Sequence, residues 1–205
     1  MSGNLTPPMN ANEGYAGASI AQISDAVQVV LKWNGTNGHE RGDLVLLMAG
    51  TNDMYTNASA AGAPDRLGDL IDEIVDAWPE AAILVSNLTP AINTTFHEIN
   101  INFPVTEANI EAYNLQIPGV VNKRAAEGKK VLHVAFQNIT VNDLWDGLHP
   151  NDAGYTIMAN AWYNGMIQAK AKGWIGGTQS NGLKFGTLWV GLVAALIVSV
   201  TAVVL

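Results

Sequence analysis

Two short polar loops contain residue types that could catalyse hydrolysis. Asp146 precedes His149 by three residues, so its carboxylate could accept a hydrogen bond from one ring nitrogen while the other nitrogen serves as general base. Asn52, in the segment GTND at 50–53, could donate its side-chain N–H to an oxyanion. Taken separately, an Asp-X-X-His sequence is more often a solvated turn, and an Asn-Asp pair is more often part of a turn. The catalytic interpretation therefore gains support only if both loops share one place in the fold.

The segments around these loops alternate between helix and strand patterns. Apolar residues at helical spacing predict helices over 19–33, 64–78, 105–127 and 152–172. Ser19 suits the cap of the first helix, and Pro118 should interrupt or kink the third. Continuous apolar runs predict buried strands over 43–49, 82–88 and 131–136. Because no hairpin signal separates the strands, we expect a parallel sheet with helices on both faces and chemistry beyond the carboxyl ends of its strands.

The composition indicates one globular domain and excludes several classes of site. The chain has 205 residues, is 48% hydrophobic, has a net charge of -8 and contains no cysteine. Without a concentrated basic face, nucleic acid is not expected as a partner. The pairs His39-Glu40 and His97-Glu98 lack the second histidine that a helical zinc site needs, and no phosphate-binding glycine motif occurs. We therefore expect neither a metal nor a cofactor.

The last 20 residues, 186–205, carry no charge and would span about 30 Å as a helix, which matches one hydrocarbon core. A small, polar stretch at 176–182 precedes them. This arrangement favours the signal for a glycolipid anchor over a permanent transmembrane helix, and a buried core helix is the least favoured interpretation. The predicted organisation is a catalytic-type domain over 1–172, a linker over 173–185, and a membrane-associated segment over 186–205.

Glycosylation signals favour the secretory route. Six Asn-X-Ser/Thr sequences occur, at Asn4, Asn34, Asn57, Asn87, Asn93 and Asn138; about two would arise by chance, and such sites accept glycans only in secreted chains. The N-terminus nevertheless has no basic start followed by an apolar stretch, as a signal peptide would. The sequence therefore predicts an extracellular or cell-surface protein, anchored by its C-terminal segment, whose beginning is missing.

Three blocks in the chain resemble those of the SGNH, or GDSL-type, hydrolases. The segments are NEGYAG at 12–17, GTND at 50–53 and DGLH at 146–149. Within that family the chain is most similar to the fungal acetyl-xylan-esterase-like branch, carbohydrate esterase family three, and the resemblance covers roughly 1–172. It implies a three-layer α/β/α fold with a parallel, flavodoxin-like sheet. It also implies that His149 is the base, Asp146 its orienting carboxylate, and that the Gly17 backbone N–H and the Asn52 amide form the oxyanion hole.

The family's nucleophile block, Gly-Asp-Ser after the first strand, is absent from this sequence. The serines are Ser2, Ser19, Ser24, Ser59, Ser86, Ser180 and Ser199, and none follows a glycine on a strand-to-helix turn. The resemblance therefore implies an N-terminally truncated domain that lacks the first two strands of a sheet ordered 2-1-3-4-5. In such a domain the strand over 43–49 should face solvent, with unpaired backbone groups along its edge.

Two functional hypotheses follow from the sequence. The first is a serine esterase that hydrolyses acyl or acetyl esters, on carbohydrate or another small ester, and whose catalytic serine is missing here. The second is a catalytically inactive, surface-anchored carbohydrate-binding protein in which Trp145, Trp162 and Tyr163 stack on sugars, although buried aromatic side chains are the commoner case. A folded relic without activity is the remaining interpretation.

Overall fold

A computed structural model describes residues 14–31, 43–93, 100–175 and 193–194 of the chain. The helices are α1 Ile20–Leu31, α2 Asn57–Ala61, α3 Ala63–Ala77, α4 Phe103–Ala126 and α5 Asp152–Ala171. The strands are β1 Leu44–Leu47, β2 Ala82–Ser86, β3 Val131–Val134 and β4 Val193–Ala194. Two short 3-10 helices cover Thr51–Tyr55 and Val141–Asp143. Every predicted helix and strand before the C-terminal segment is thereby confirmed, with small shifts at the ends.

The helix ends follow from local hydrogen bonds. Ser19 Oγ accepts the backbone N–H of Gln22 at 3.4 Å while Gln22 Oε1 accepts that of Ser19 at 2.9 Å, a reciprocal cap that begins α1 as predicted. Helix α4 begins two residues earlier than predicted because Asn102 accepts the N–H of Val105 at 3.3 Å. It continues through Pro118 to Ala126 as one helix.

The strands form one parallel sheet in the order β3-β2-β1-β4. Leu44 pairs with Ala82 at the start of the β1–β2 register, and Ile83 pairs with Val131 at the start of the β2–β3 register. All residues of β1 and β2 are buried, as expected for strands covered on both faces. The predicted parallel sheet is confirmed, and the loops after β1 and β3 leave the sheet at the same edge.

Helices pack on both faces of this sheet. Helix α5 lies on β2 and β3, where Gly165 approaches so closely that an added Cβ would stand 2.6 Å from Val134 and 2.8 Å from Leu84. Helix α4 packs on β2 and β3 as well, and also on α3, which in turn packs on α1. The core between these layers is continuous and apolar, so it holds the loops at the carboxyl edge on a rigid base.

The predicted C-terminal helix over 186–205 is wrong where the structure describes that segment. Val193 and Ala194 form β4, which runs parallel to β1 with Val193 opposite Leu44. The edge of β1 that the truncated domain should expose to solvent is therefore paired at these positions. The physical reason is that β4 hydrogen-bonds to backbone groups of β1, which a C-terminal helix would leave unpaired. The rest of 176–205 lies outside the described residues. Within the described part of the chain, no helix is both long and apolar enough to cross a membrane.

Candidate active site

Asp146 and His149 form a tight pair in the loop before α5. The Nδ1 atom of His149 lies 2.5 Å from Oδ2 of Asp146. The other carboxylate oxygen, Oδ1, accepts the backbone N–H groups of His149 at 2.8 Å and Leu148 at 3.0 Å. The carboxylate therefore holds both the imidazole ring and the backbone that carries it, which confirms that the two residues meet.

The electrostatics of this pair favour an ionised aspartate. Burial raises the pKa of Asp146, but hydrogen bonds from the backbone and ring of His149 and from the N–H of Leu148 outweigh burial and lower the pKa below its ordinary value. The far ring nitrogen of His149, Nε2, is buried and has no hydrogen-bond partner among the described residues. An ionised carboxylate on one side and a free nitrogen on the other is the arrangement of a general base.

Neighbouring backbone bonds fix the shape of this loop. The N–H of Trp145 donates to the carbonyl of His149 at 2.7 Å and closes the loop on itself. Gly147 has a φ of 89°, a value that favours glycine, and its carbonyl accepts the N–H of Ile92 at 2.7 Å. Asn151 then caps α5 by accepting the N–H of Ala153 at 3.0 Å. The loop is therefore tied to both α5 and the segment after β2.

Asn52 lies in the loop that directly follows β1. Its Nδ2 donates to the carbonyl of Ala18 at 2.9 Å. Gly50 has a φ of 123°, and an added Cβ there would stand 3.0 Å from the ring of Tyr113, so both the backbone conformation and the space require glycine. Because an amide nitrogen carries two hydrogens, one N–H of Asn52 remains for another acceptor.

Gly17 is exposed and lies one residue before the carbonyl that Asn52 binds. Its φ of 72° is the left-handed conformation, and an added Cβ would meet nothing within 4 Å. The conformation alone, and not crowding, therefore favours glycine here. The bond from Asn52 to Ala18 thus joins the two segments that contain the predicted oxyanion-hole donors, Gly17 and Asn52.

Two tyrosines connect the site loops electrostatically. Burial, and then the negative charge of Asp146, raise the pKa of Tyr55 and of Tyr155. Tyr55 ends the 3-10 helix that contains Asn52, whereas Tyr155 lies in the first turn of α5. The field of one carboxylate thus reaches both segments, consistent with a single site at the carboxyl edge of the sheet.

The described serines do not supply a partner for His149. Ser19, Ser24 and Ser59 hydrogen-bond through their hydroxyls to Gln22, Glu73 and Thr56, respectively. The hydroxyl of Ser86 is buried without a partner, as is Nε2 of His149, so these two groups do not bond to each other.

Sequence reasoning missed two residues that support this site. Asp53 is 1% exposed, and its carboxylate accepts the backbone N–H of Ile20 at 2.8 Å. The guanidinium of Arg66 binds the other carboxylate oxygen through Nε at 3.1 Å and Nη2 at 2.7 Å. Asp53 was visible as the last residue of the GTND segment, but nothing local indicated its partners.

The aromatic candidates for sugar stacking separate into two groups. Trp145 is 61% exposed beside His149, and Tyr163 is 59% exposed on α5. Trp162 is buried, with its ring edge-on to Phe136 at 5.3 Å between centroids. Trp162 is therefore a core residue, as the commoner case for aromatic side chains anticipates.

The six predicted glycosylation sites differ in their surroundings. Asn57, Asn93 and Asn138 are exposed, whereas Asn4 and Asn34 lie outside the described residues. Asn87 is half-buried and bonded on both sides of its amide: Nδ2 donates to the carbonyl of Phe136 at 3.3 Å and Oδ1 accepts that residue's N–H at 2.5 Å. A glycan on Asn87 would break this pairing of the β2 and β3 loops.

Comparison with known proteins identifies the family. The model of the GDSL-like Lipase/Acylhydrolase family matches residues 2–162. The chain is 34% identical over 155 residues to "Putative endoglucanase X" of Acetivibrio thermocellus, covering 73% of this chain and 58% of that protein. It is 30% identical over 122 residues to "Multidomain esterase" of Ruminococcus flavefaciens, covering 58% of this chain and 15% of that protein. The chain thus spans under two thirds of either relative.

A solved structure agrees with this assignment. The family 3 carbohydrate esterase of Clostridium thermocellum aligns with a TM-score of 0.57 and 29% identity, over 78% of this chain and 71% of that one. The shared α/β fold and the matched segment, which includes Gly17, Asn52 and the Asp146–His149 pair, lead to one conclusion: the chain belongs to the GDSL-like lipase/acylhydrolase family.

Proposed function

We propose that this domain hydrolyses carboxylic esters, with acyl or acetyl groups on carbohydrate as the substrate class. The observation that carries the proposal is the buried Nε2 of His149, which has no partner among the described residues and lies opposite a ring nitrogen that Asp146 holds at 2.5 Å. The esterase names of similar proteins support the same chemistry and suggest the carbohydrate part of the substrate.

The proposed reaction uses a serine hydroxyl that the described residues do not place at His149. The hydroxyl oxygen attacks the ester carbonyl while its proton passes to Nε2, and Asp146 stabilises the resulting imidazolium. The N–H groups of Gly17 and Asn52 bind the oxyanion. The intermediate then collapses, the alcohol leaves with the proton from Nε2, and water repeats the sequence to release the acid and restore the serine.

Ester hydrolysis and covalent labelling test this proposal together. Hydrolysis of p-nitrophenyl acetate and release of acetate from acetylated xylan should both be lost in His149→Ala. A fluorophosphonate probe, which labels activated serines, should mark one serine in the protein from its native source, and labelling should depend on His149. Peptide mass spectrometry then shows whether that serine belongs to this sequence or lies outside it. Absence of hydrolysis and of labelling in the protein from its native source would contradict the proposal.

A second candidate function is binding of carbohydrate without turnover. The exposed indole of Trp145 beside His149 favours it, since tryptophan, with an apolar ring and a polar N–H, is enriched at binding interfaces. Isothermal titration with xylo-oligosaccharides would show saturable binding that Trp145→Ala removes, in a chain that cleaves no ester. Leu115→Ala, at an exposed apolar position on α4, serves as the matched control.

We also propose an extracellular or cell-surface location. The number of glycosylation signals supports this, and Asn57, Asn93 and Asn138 present exposed side chains to a glycosyltransferase. Digestion of the protein from its native source with an N-glycosidase should increase its electrophoretic mobility. Release from cells by phospholipase, but not by high salt, would indicate a lipid anchor.

A further inference from the structure

We propose that the ion pair of Asp53 and Arg66 is a positioning device for the oxyanion hole. The inference rests on the proposed function, in which the donors are the backbone of Gly17 and the side chain of Asn52. Neither charged residue is assigned to touch substrate. Their role is to keep the two donors at one separation and orientation.

Two hydrogen bonds join the segment that enters α1 to the loop after β1. In the first, Asn52 Nδ2 donates to the carbonyl of Ala18 at 2.9 Å. In the second, the N–H of Ile20 donates to Oδ2 of Asp53 at 2.8 Å. The bonds run in opposite directions between segments more than thirty residues apart. Together they fix Gly17, which precedes Ala18, relative to the amide of Asn52.

Arg66 stabilises the second of these bonds, between Ile20 and Asp53. The Asp53 carboxylate is almost fully buried, and a buried charge is unfavourable unless it is paired and hydrogen-bonded. Arg66 supplies the pairing from α3 with two N–H groups that both donate to Oδ1, while the N–H of Ile20 holds Oδ2, so both carboxylate oxygens are fixed. Its Nη2 also donates to the carbonyl of Ser59, so the guanidinium is held from two sides.

Gly62 leaves the space that this guanidinium occupies. A Cβ at residue 62 would stand 2.7 Å from Nη1 of Arg66, so alanine there would displace the side chain without removing any charge. Gly62→Ala is therefore a milder perturbation of the ion pair than direct substitution of Asp53 or Arg66.

The ion pair would affect catalysis because oxyanion donors stabilise the transition state only when they are held in place before the reaction. Ala18 takes one hydrogen of the Asn52 amide, and this bond sets the direction of the other N–H. If the start of α1 moves away from the loop, Gly17 moves with it, and displacements near 1 Å are enough to weaken catalysis strongly.

Acetate is a suitable probe, since its carboxylate oxygen can occupy the place of the oxyanion without any nucleophile. The full chain, labelled with ¹⁵N, would be titrated with sodium acetate against sodium chloride at equal ionic strength. We expect saturable shifts of the Gly17 backbone amide and the Asn52 side-chain amide. Asp53→Asn and Arg66→Ala should weaken acetate binding at least tenfold and speed hydrogen exchange at Ile20, and Arg66→Lys should restore part of the affinity.

Glu73→Gln is the matched control, since Glu73 of α3 contacts α1 at a place away from the site. Its carboxylate accepts the hydroxyl of Ser24 at 2.7 Å and the side-chain amide of Gln28 at 3.2 Å, so the substitution loosens α1 from α3 but should leave acetate binding within twofold of the wild type. Should Asp53→Asn and Arg66→Ala fail to fold, Gly62→Ala provides the comparison, with an intermediate loss of affinity.

The outcomes separate this proposal from the proposed function. The positioning role would be overturned if wild type and variants bound acetate equally well although hydrogen exchange at Ile20 is faster in the variants. It would also be overturned if the Gly17 and Asn52 amides of the wild type did not respond to acetate. Ester hydrolysis is measured separately. If the acetate results are as expected but the chain hydrolyses no ester, the positioning role is supported and only the proposed esterase activity is contradicted.

Discussion

The side-chain amide of Asn52 donates a hydrogen bond to the backbone carbonyl of Ala18 at 2.9 Å, across 34 residues of sequence. This bond places the amide beside Gly17 and leaves one N–H for a second acceptor. Two loops that the sequence separates widely are thereby combined into one donor pair.

Asn52→Ala should reduce kcat for p-nitrophenyl acetate by about 10²-fold or more, because one oxyanion donor is usually worth that much. KM should change little, since the donor acts on the transition state more than on the bound ester. Steady-state kinetics of the purified variant would test this. Asn109→Ala is a control, since that side chain also bonds a backbone carbonyl near the same loop, that of Met54; a similar loss in both variants would indicate loop disruption instead.

Asp146→Asn should lower kcat on the order of 10³-fold, because an amide at this position no longer fixes the imidazole tautomer or stabilises its protonated form. The matched control is Asp143→Asn, a nearby aspartate whose carboxylate caps a short helix through the N–H of Thr140 and does not contact the histidine. If both variants retained wild-type kcat, His149 would not be acting as a base oriented by Asp146.

The lowered pKa of Asp146 predicts a pH-dependent stability. Its folded pKa lies below the ordinary value of 3.8, so folding favours the charged form, and the resulting stabilisation is complete above about pH 4 and lost as the pH falls through the folded pKa. Asp146→Asn should therefore reduce the free energy of unfolding at pH 7, and the gap to wild type should narrow at pH 3 and below. Urea unfolding across this range would measure it; a gap independent of pH would assign the effect to packing alone.

Gly165→Ala should destabilise the protein by about 1–3 kcal/mol, since the added methyl group would press on Val134 and Leu84 where α5 meets the sheet. Gly119→Ala is the matched substitution, because this exposed glycine lies within α4 and an added Cβ meets nothing within 4 Å. It should stabilise by about 0.5–1 kcal/mol through helix propensity. Thermal unfolding of both variants would check the opposite signs.

Local patterns in the sequence were enough to predict the helices and strands up to residue 172 and the contact between Asp146 and His149. Ile20, Ile23 and Val27 repeat at helical spacing and are buried in α1, because side chains three or four residues apart share one face of a helix. Asp146 and His149 meet because a turn brings residues three apart into contact, so their pairing needed no knowledge of the rest of the fold. Parallel strand pairing followed from the alternation of strands and helices.

Contacts between groups that lie far apart in the chain depend on how the elements pack. The partners of Asp53 are Ile20 and Arg66, 33 and 13 residues away, and no periodicity in the sequence connects them. The length and lack of charge of the apolar C-terminal segment predicted a helix, which the described part of that segment does not form. Val193 and Ala194 form a strand because they pair with the edge of β1 that is otherwise unpaired. An unpaired strand edge presents backbone N–H and C=O groups to any segment that reaches it, and the local sequence does not show which segment that will be.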